Sequence, residues 1–292
     1  MSPDAPAGLV VVDKPAGITS HDVVARLRRL AGTRRVGHAG TLDPMATGVL
    51  LVGVGKATRL LGHLLLTEKA YVATVRLGAS TTTDDAEGET VATASVTHLT
   101  EDDVRAAAGG FVGDIEQRPS AVSAIKVDGR RAYERVRAGE DVELPARVVT
   151  VQELVVTDVR PDGDFVDVEV AVRCSSGTYV RAIARDLGET LGTGGHLIAL
   201  RRTAVGPFTE TDARTLDELC DDLALLDLSA VARRCFPTYD LDGDQARDVG
   251  FGRKLEVVLG ADGPVAVLDR AGRFLALYEQ IGPVAAPVAV FA

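Results

Sequence analysis

One short segment of the chain concentrates residue types that could carry acid–base chemistry. Between Arg34 and Gly48 the sequence places His38, an Asp43-Pro44 pair and three glycines, immediately before an apolar run. Loops held by a rigid scaffold are where catalytic groups concentrate. The Asp43 carboxylate is therefore a candidate catalytic group. A structural alternative is that Asp43 caps a turn in which Pro44 occupies the first helical position.

A second acidic stretch, Asp84-Asp85-Ala-Glu87, offers carboxylates that could pair with Asp43. Two carboxylates that share one scissile bond would indicate an acid–base hydrolase. The two segments are far apart in the sequence, and the acidic stretch lies in an apparent loop. A hydrolase is therefore the weaker of the hypotheses that involve Asp43.

The elements that position the Asp43 loop can be read from apolar periodicity and capping residues. Thr19 or Ser20 is expected to cap a helix that Gly32 ends. The N-terminal expectations are strands at 8–13, 49–54 and 71–77, a helix near 58–66, and a loop with weak strand character at 79–97.

Further along, the valines at alternate positions of 165–173 have the period of a half-buried strand. The remaining expectations are a helix after Thr100, strands at 148–159 and 196–205, a helix after Thr178, and helical structure at 215–234. After a boundary near Cys235, they are a helix at 243–250 and strands at 255–259, 264–269, 273–280 and 287–291.

Composition and charge limit the class of protein. The chain has 292 residues, of which 46% are hydrophobic and 25% charged, which is typical of a globular chain with ample core. No apolar run approaches the length of a membrane span, and the N-terminus does not resemble a signal peptide. Three cysteines without a C-x-x-C pair argue against disulfides and zinc. A cytoplasmic protein is expected.

The net charge of −10 hides an uneven distribution. Nine Lys/Arg face five Asp/Glu in residues 1–70, six face two in 118–137, and five face two in 173–205. If these segments converge in space, they would form a basic surface that binds a polyanion through its phosphates. The alternative is that the basic side chains lie on separate solvated faces.

Several ordered segments closely resemble the motifs of the TruB family of tRNA pseudouridine synthases. Two lie near the N-terminus, Lys14-Pro-Ala-Gly-Ile-Thr-Ser20 and Gly37-His-Ala-Gly-Thr-Leu-Asp-Pro-Met-Ala-Thr-Gly48. The others, in family order, are Lys69-Ala-Tyr71, Arg118-Pro-Ser-Ala-Val-Ser-Ala-Ile-Lys126-Val-Asp-Gly-Arg-Arg-Ala-Tyr133, Cys174-Ser-Ser-Gly-Thr-Tyr-Val-Arg181 and Leu200-Arg-Arg-Thr203. The resemblance covers roughly residues 8–208.

The resemblance implies an isomerase, an intramolecular transferase that converts uridine 55 in the T-arm of tRNA to pseudouridine without a cofactor or metal. The target base must leave its stack and turn within a pocket. The implied fold is α+β, with a large mixed, mainly antiparallel sheet flanked by helices and loops. Residues 1–234 would be the catalytic domain, with an RNA-binding insertion at about 115–147, and 235–292 a short PUA-like domain.

The resemblance also implies roles for individual residues. Asp43 matches the catalytic aspartate, Arg181 would pair with it, and Tyr71 would stack on the target base and assist proton removal from C5. His38 would fill the gap left by the flipped base, and Leu200 would line the pocket. The further RNA-binding or supporting residues would be Lys14, Arg118, Lys126, Arg130, Arg131 and Tyr179.

The expected partner is the tRNA T-arm stem-loop, with no membrane, obligate protein partner or guide RNA, and the expected state is a monomer. The short C-terminal domain also argues against the related guide-RNA-dependent enzymes. The basic segments leave one alternative open, a tRNA-folding chaperone whose RNA binding is separable from catalysis.

Overall fold

The computed structural model describes residues 6–65, 67–120 and 144–291, together with the backbone of 126–127 and 130–131. Contacts divide the described chain into two compact units. The first unit comprises Met1–Asp43, Val49–Leu65 and Gly206–Ala292, and the second comprises Pro44–Gly48 and Leu66–Val205. The domain boundary predicted at residue 235 stays a prediction.

The described residues form strands along most of the chain. They are β1 (Gly8–Lys14), β2 (Val36–Ala39), β3 (Thr47–Val54), β4 (Lys69–Leu77), β5 (Ala79–Thr81), β6 (Thr90–Thr93), β7 (Gly113–Gln117), β8 (Lys126–Val127), β9 (Arg130–Arg131), β10 (Arg147–Asp162), β11 (Phe165–Cys174), β12 (Gly195–Val205), β13 (Phe208–Thr209), β14 (Thr238–Asp240), β15 (Val265–Leu268), β16 (Phe274–Ile281) and β17 (Val284–Val290).

Helices in the described part of the chain are short. They are α1 (Ser20–Leu30), α2 (Leu61–Leu64), α3 (Glu101–Gly109), α4 (Val180–Thr190), α5 (Leu216–Asp221), α6 (Leu228–Cys235) and α7 (Gly243–Gly250), with 3₁₀ turns at Gly55–Arg59 and Glu210–Asp212. Across the described ranges, none of them is both long and apolar enough to cross a bilayer.

In the first unit, apolar runs and capping residues produce the predicted N-terminal elements. The side chain of Thr19 accepts a hydrogen bond from the amide of Asp22, and the Asp22 carboxylate accepts one from the amide of Thr19. This capping box starts α1.

Strands β14, β15, β16 and β17 form a four-stranded sheet in that order. Its core contains Val267, Ala276 and Tyr278, all fully buried. The small β-rich C-terminal part is confirmed.

In the second unit, five strands pair in the order β12–β4–β11–β10–β7, each antiparallel to its neighbour. Thr47 and Gly48, at the start of β3, add a parallel pairing with Arg201 and Arg202 of β12. Helix α3 packs on β10 and α4 on β12. The predicted α+β class with a mixed, mainly antiparallel sheet is confirmed.

The predicted insertion at 115–147 begins and ends within this sheet. Residues 115–117 of β7 and Arg147 of β10 belong to the paired register Arg147–Gln117 to Val151–Gly113. Most of the residues between them lie outside the described part of the chain. Of β8 and β9 the backbone is described, and it pairs Lys126 with Arg131.

Some predicted elements are wrong in detail. The helix near 58–66 is a 3₁₀ turn followed by the single turn α2, and Gly55 enters that turn with a φ of 61°. The predicted strand at 255–259 is reduced to an isolated bridge between Leu255 and Ala285. The Leu259 amide donates to the Gln280 side chain and not to the backbone carbonyl of a neighbouring strand. The segment 215–234 divides into α5 and α6 because Asp227 caps a new helix.

Candidate active site

The loop that carries Asp43 is anchored in the first unit by a buried serine. The Ser20 hydroxyl donates to the Leu42 carbonyl at 3.0 Å and accepts the Leu42 amide at 2.9 Å. Ser20 is the first residue of α1 and is 1% exposed. Because Leu42 immediately precedes the half-buried Asp43, these two bonds fix the backbone from which the Asp43 side chain leaves.

Two further predicted residues lie in the same unit. Lys14 ends β1 fully buried, and its ammonium donates to the carbonyls of Pro15 and Ile18 at 2.9 and 2.7 Å. This placement suits the predicted support of a loop. His38 lies half-buried on β2, with its ring edge-to-face against His21 at a centroid distance of 5.3 Å.

Tyr71 lies on β4 in the second unit and is 8% exposed. In the antiparallel registers it is opposite Val172 of β11 and Arg202 of β12. Leu200 is opposite Ala73, two residues after Tyr71, so it lies on the same face of the sheet. The predicted pocket residues Tyr71 and Leu200 are therefore neighbours on one face.

Two buried cations accompany Tyr71 on that face. Lys69 is two residues before Tyr71 and is 7% exposed, and Arg202 is 1% exposed. The Lys69 ammonium donates to the Thr67 carbonyl at 2.8 Å. Burial, and next the charge of Arg202, lower the pKa of Lys69 to about 8.

Arg181 lies on α4, and a buried carboxylate holds it. Its guanidinium is 3.2 Å from the Asp85 carboxylate and donates to the Thr83 carbonyl at 2.8 Å. Arg181 and Asp85 are 4% and 3% exposed. The Asp85 carboxylate also accepts the Thr83 hydroxyl and the Glu87 amide. A desolvated ion pair with this many hydrogen bonds fixes the guanidinium in one place.

The root of the predicted insertion is attached to the start of α4. The buried Gln117 side chain accepts the Tyr179 amide at 2.7 Å and donates to the Tyr179 carbonyl at 3.0 Å. Tyr179 is the half-buried N-cap residue of α4, and Arg118 is exposed. The side chains of Lys126, Arg130 and Arg131 lie outside the described part of the chain.

The structure groups the predicted residues by unit. Tyr71, Leu200, Tyr179 and Arg181 belong to the second unit, and Asp43, Lys14 and His38 to the first. The predicted pairing of Asp43 with Arg181, and every residue role, stay predictions. The hydrolase hypothesis requires a second carboxylate from the acidic stretch. Asp85 and Asp84 instead form ion pairs with Arg181 and Arg185.

Several buried polar residues had no site role in the predictions from sequence. They are Ser20, Lys69, Gln117 and Arg202, whereas Asp85 was considered only as a second carboxylate of a hydrolase. Their spacing carried a signal for Lys69, because residues two apart on a strand share a face and Tyr71, Ala73, Val75 and Leu77 are the apolar face of β4. In the described ranges, no three His, Cys, Asp or Glu residues are grouped as metal ligands.

Comparison with known proteins places the whole chain in one class. The chain is similar in fold to a chain of a solved Cbf5–Nop10–Gar1 complex, with a TM-score of 0.75 and 27% identity over 98% of this chain and 84% of the other. Family models match residues 28–180 (TruB family pseudouridylate synthase, N terminal domain), 181–234 (tRNA pseudouridylate synthase B C-terminal domain) and 236–292 (tRNA Pseudouridine synthase II, C terminal).

Bacterial relatives match over nearly their full length. Proteins named tRNA pseudouridine synthase B from Thermobifida fusca and from Arthrobacter sp. are 58% and 56% identical to this chain. The matches cover 98% of this chain in both cases, and 98% and 97% of the relatives. The fold is that of a pseudouridine synthase. The chain belongs to the TruB family of pseudouridylate synthases, which confirms the resemblance predicted from the motifs.

Proposed function

We propose that the chain isomerises uridine 55 in the T-arm of tRNA to pseudouridine, without a cofactor. The observation that carries the proposal is the near full-length similarity to proteins named tRNA pseudouridine synthase B. The reaction breaks the bond from N1 of the base to C1′ of the ribose and joins C1′ to C5. It therefore requires an extruded base and a pocket in which that base can turn.

Asp43 is proposed as the catalytic carboxylate that acts on the sugar or the base. Its support is the fixed loop, since Ser20 binds both backbone groups of Leu42. A reaction that depends on a carboxylate at one place gains from such preorganisation, because a misplaced group loses much of the rate. A half-buried position also leaves the carboxylate partly desolvated.

Arg181 is proposed to hold the Asp43 carboxylate in its ionised form, and Asp85 to position Arg181. A guanidinium carries five N–H donors in a planar fork, so one arginine can bind more than one oxygen acceptor. The ion pair with Asp85 and the bond to Thr83 fix one side of the guanidinium. Tyr71 is proposed to stack on the base and to assist proton removal from C5, and Leu200 to line the same face.

RNA binding is proposed to rest mainly on the insertion and on exposed arginines such as Arg118. Four of the basic residues counted in the charged windows, Lys14, Lys69, Arg181 and Arg202, are buried in the structure. Buried cations do not contact phosphates at the surface, so the charge count overstates the basic surface. Lys126, Arg130 and Arg131 of the insertion then carry more of the phosphate contacts.

The chain is further proposed to work in the cytoplasm as a monomer, without a guide RNA or an obligate protein partner. The similarity to bacterial proteins named tRNA pseudouridine synthase B supports the cytoplasmic location, as expected of an enzyme that modifies tRNA. The C-terminal residues 235–292 are proposed as a short PUA-like domain that contributes to RNA binding, and residues 1–234 as the catalytic domain.

The test is a modification assay on unmodified tRNA transcript. Carbodiimide-dependent primer extension should detect pseudouridine at position 55 with the unchanged protein, and none in a transcript with cytidine at that position. Asp43→Asn should abolish the product. Asp217→Asn, which alters an exposed aspartate of the same unit, is the matched control and should leave the rate unchanged.

Failure to modify uridine 55, or full activity of Asp43→Asn, would contradict the proposal. The same variant tests the tRNA-folding alternative. Asp43→Asn is expected to keep its affinity for tRNA, because the substitution removes no cation. If Asp43→Asn loses catalysis and still refolds misfolded tRNA, the RNA-folding activity is separable from the chemistry.

A further inference from the structure

Two arginines of α4 each hold one carboxylate of the loop that follows β5. Arg181 pairs with Asp85, and Arg185 pairs with Asp84 at 3.2 Å. Residues four apart on a helix lie on one face, so the same face of α4 holds two consecutive aspartates. The position of Arg185 is therefore linked to the position of the ion pair beside it.

Asp84 has an unusual backbone conformation. With a φ of 59°, it is the one non-glycine residue in the described ranges that adopts the left-handed conformation. This conformation is unfavourable for residues with a side chain, although aspartate tolerates it better than most. Its carbonyl accepts the Leu197 amide at 3.0 Å. The loop is thus held in a strained geometry, with Arg185 on its side chain and β12 on its backbone.

Arg185 also reaches the root of the insertion. Its guanidinium donates to the Arg118 carbonyl at 2.8 Å and pairs with Asp186 at 2.7 Å. Pro119 follows Arg118, and its ring restricts the backbone where the insertion leaves the sheet. One planar side chain therefore contacts both the loop that contains Asp84 and Asp85 and Arg118 at the root of the insertion.

We propose that Arg185 is a positioning residue that sets the root of the insertion and the Asp84–Asp85 loop in a common geometry, and so controls both RNA affinity and the rate of the chemical step. This inference rests on the proposed function, in which the insertion binds tRNA and Asp85 positions Arg181. In this proposal Arg185 acts through Asp84 and the Arg118 carbonyl, and not on the base itself.

The test separates affinity from rate. Arg185→Gln should raise the Kd for tRNA transcript about tenfold and lower the single-turnover rate at saturating enzyme about tenfold, which is a moderate coupling between two sites. Arg131→Ala should change the Kd alone, and Asp85→Asn the rate alone. Both values are normalised to the fraction of folded protein. A weaker affinity and a slower rate in the same variant are the result expected of Arg185→Gln.

A conservative variant and a control refine this test. Arg185→Lys keeps a charge for Asp84 but lacks the fork that also reaches the Arg118 carbonyl, so it should restore the rate and not the affinity. Arg160→Gln removes an arginine of the same unit that bridges Asp158 and Glu169 at the surface. This control should leave both parameters unchanged.

Hydrogen exchange supplies a readout that does not depend on activity. In Arg185→Gln, the amides of Leu197 and Glu87, which bind Asp84 and Asp85, should exchange faster than in the unchanged protein and in Arg160→Gln. Arg185→Gln that is folded and has unchanged exchange, or that alters only one of affinity and rate, would overturn the inference.

If Arg185→Gln does not fold, Asp84→Asn takes its place. Asparagine keeps the shape of the side chain and tolerates the left-handed conformation. Because it removes the charge that pairs with Arg185 and leaves the bond of Arg185 to the Arg118 carbonyl, this variant should lose rate without losing affinity. Unchanged rate in Asp84→Asn would overturn the inference. If the unchanged protein does not modify tRNA, the proposed function fails, whereas the exchange measurements still decide the link made by Arg185.

Discussion

The Ser20 side chain binds both backbone groups of Leu42, 22 residues later in the chain. One hydroxyl therefore joins the start of α1 to the residue before Asp43. Since Ser20 and Leu42 are both buried, water cannot replace either bond when the hydroxyl is removed. Substitution of Ser20 is therefore the most direct way to test how the backbone next to Asp43 is positioned in the first unit.

Ser20→Ala should destabilise the protein by about 1–3 kcal/mol, the cost of leaving buried backbone groups unpaired. It should also lower the modification rate, because the Asp43 backbone loses its anchor. Urea unfolding and single-turnover kinetics measure the two effects. Thr19→Ala is the matched control, because it removes the α1 cap and leaves Leu42 bound. A rate loss as large in Thr19→Ala would contradict a specific role of Ser20.

Asp85→Asn should lower the free energy of unfolding by about 3–5 kcal/mol and slow the reaction strongly, because it removes the carboxylate charge from a buried ion pair with Arg181. Glu153→Gln breaks an ion pair with Arg173 in which both side chains are about half exposed, and it should cost less than about 1 kcal/mol. Chemical denaturation measures both variants. Equal effects would show that burial of the Arg181 pair has no energetic weight.

Lys69 should make stability depend on pH in the alkaline range. Its pKa is about 8 in the folded protein and near 10.5 when unfolded, so the unfolded chain binds more protons between these values. The unchanged protein should therefore gain stability relative to Lys69→Met as the pH rises from about 8 to about 10.5. Urea midpoints at pH 7 and pH 9.5 test this. A constant difference between the two proteins would contradict it.

The three cysteines should differ in reactivity towards a thiolate-specific reagent at pH 8. Burial raises the pKa of the Cys174 and Cys235 thiols to about 11, and Cys174 is 1% exposed. Cys220 is exposed. Iodoacetamide followed by peptide mass spectrometry should find Cys220 labelled first, and the other two after denaturation. Early labelling of Cys174 would contradict the buried position on β11.

The sequence predicted those parts of the fold that depend on local pattern. Alternating valines gave β11, and the capping residues Thr19 and Thr100 gave the starts of α1 and α3. The three-residue strand β14 was missed, because a parallel pairing of that length leaves no periodic trace. The helix predicted near 58–66 was too long, because a 3₁₀ turn followed by the single turn of α2 is too short to show a helical period.

The candidate site was predictable as far as its family motifs extend. The motifs pointed to Asp43, Tyr71 and Arg181 but not to the ion pair between Arg181 and Asp85, because a pair between distant segments depends on how the sheet and α4 bring them together. Asp85 looked like one acid among several in a polar loop. Lys69 and Arg202 looked like surface cations, although the register of β4 and β12 places them in the interior.

Gly48 marks where the Asp43 loop joins β12. A β-carbon on Gly48 would lie 2.2 Å from the Arg202 carbonyl oxygen, and the φ of Gly48 is 96°. Any side chain there would push two paired backbones apart, so changes in loop length or composition have to be absorbed before this residue. A chimera that exchanges the catalytic loop between relatives should therefore place its downstream junction after Gly48 and carry that glycine along as the fixed end of the graft.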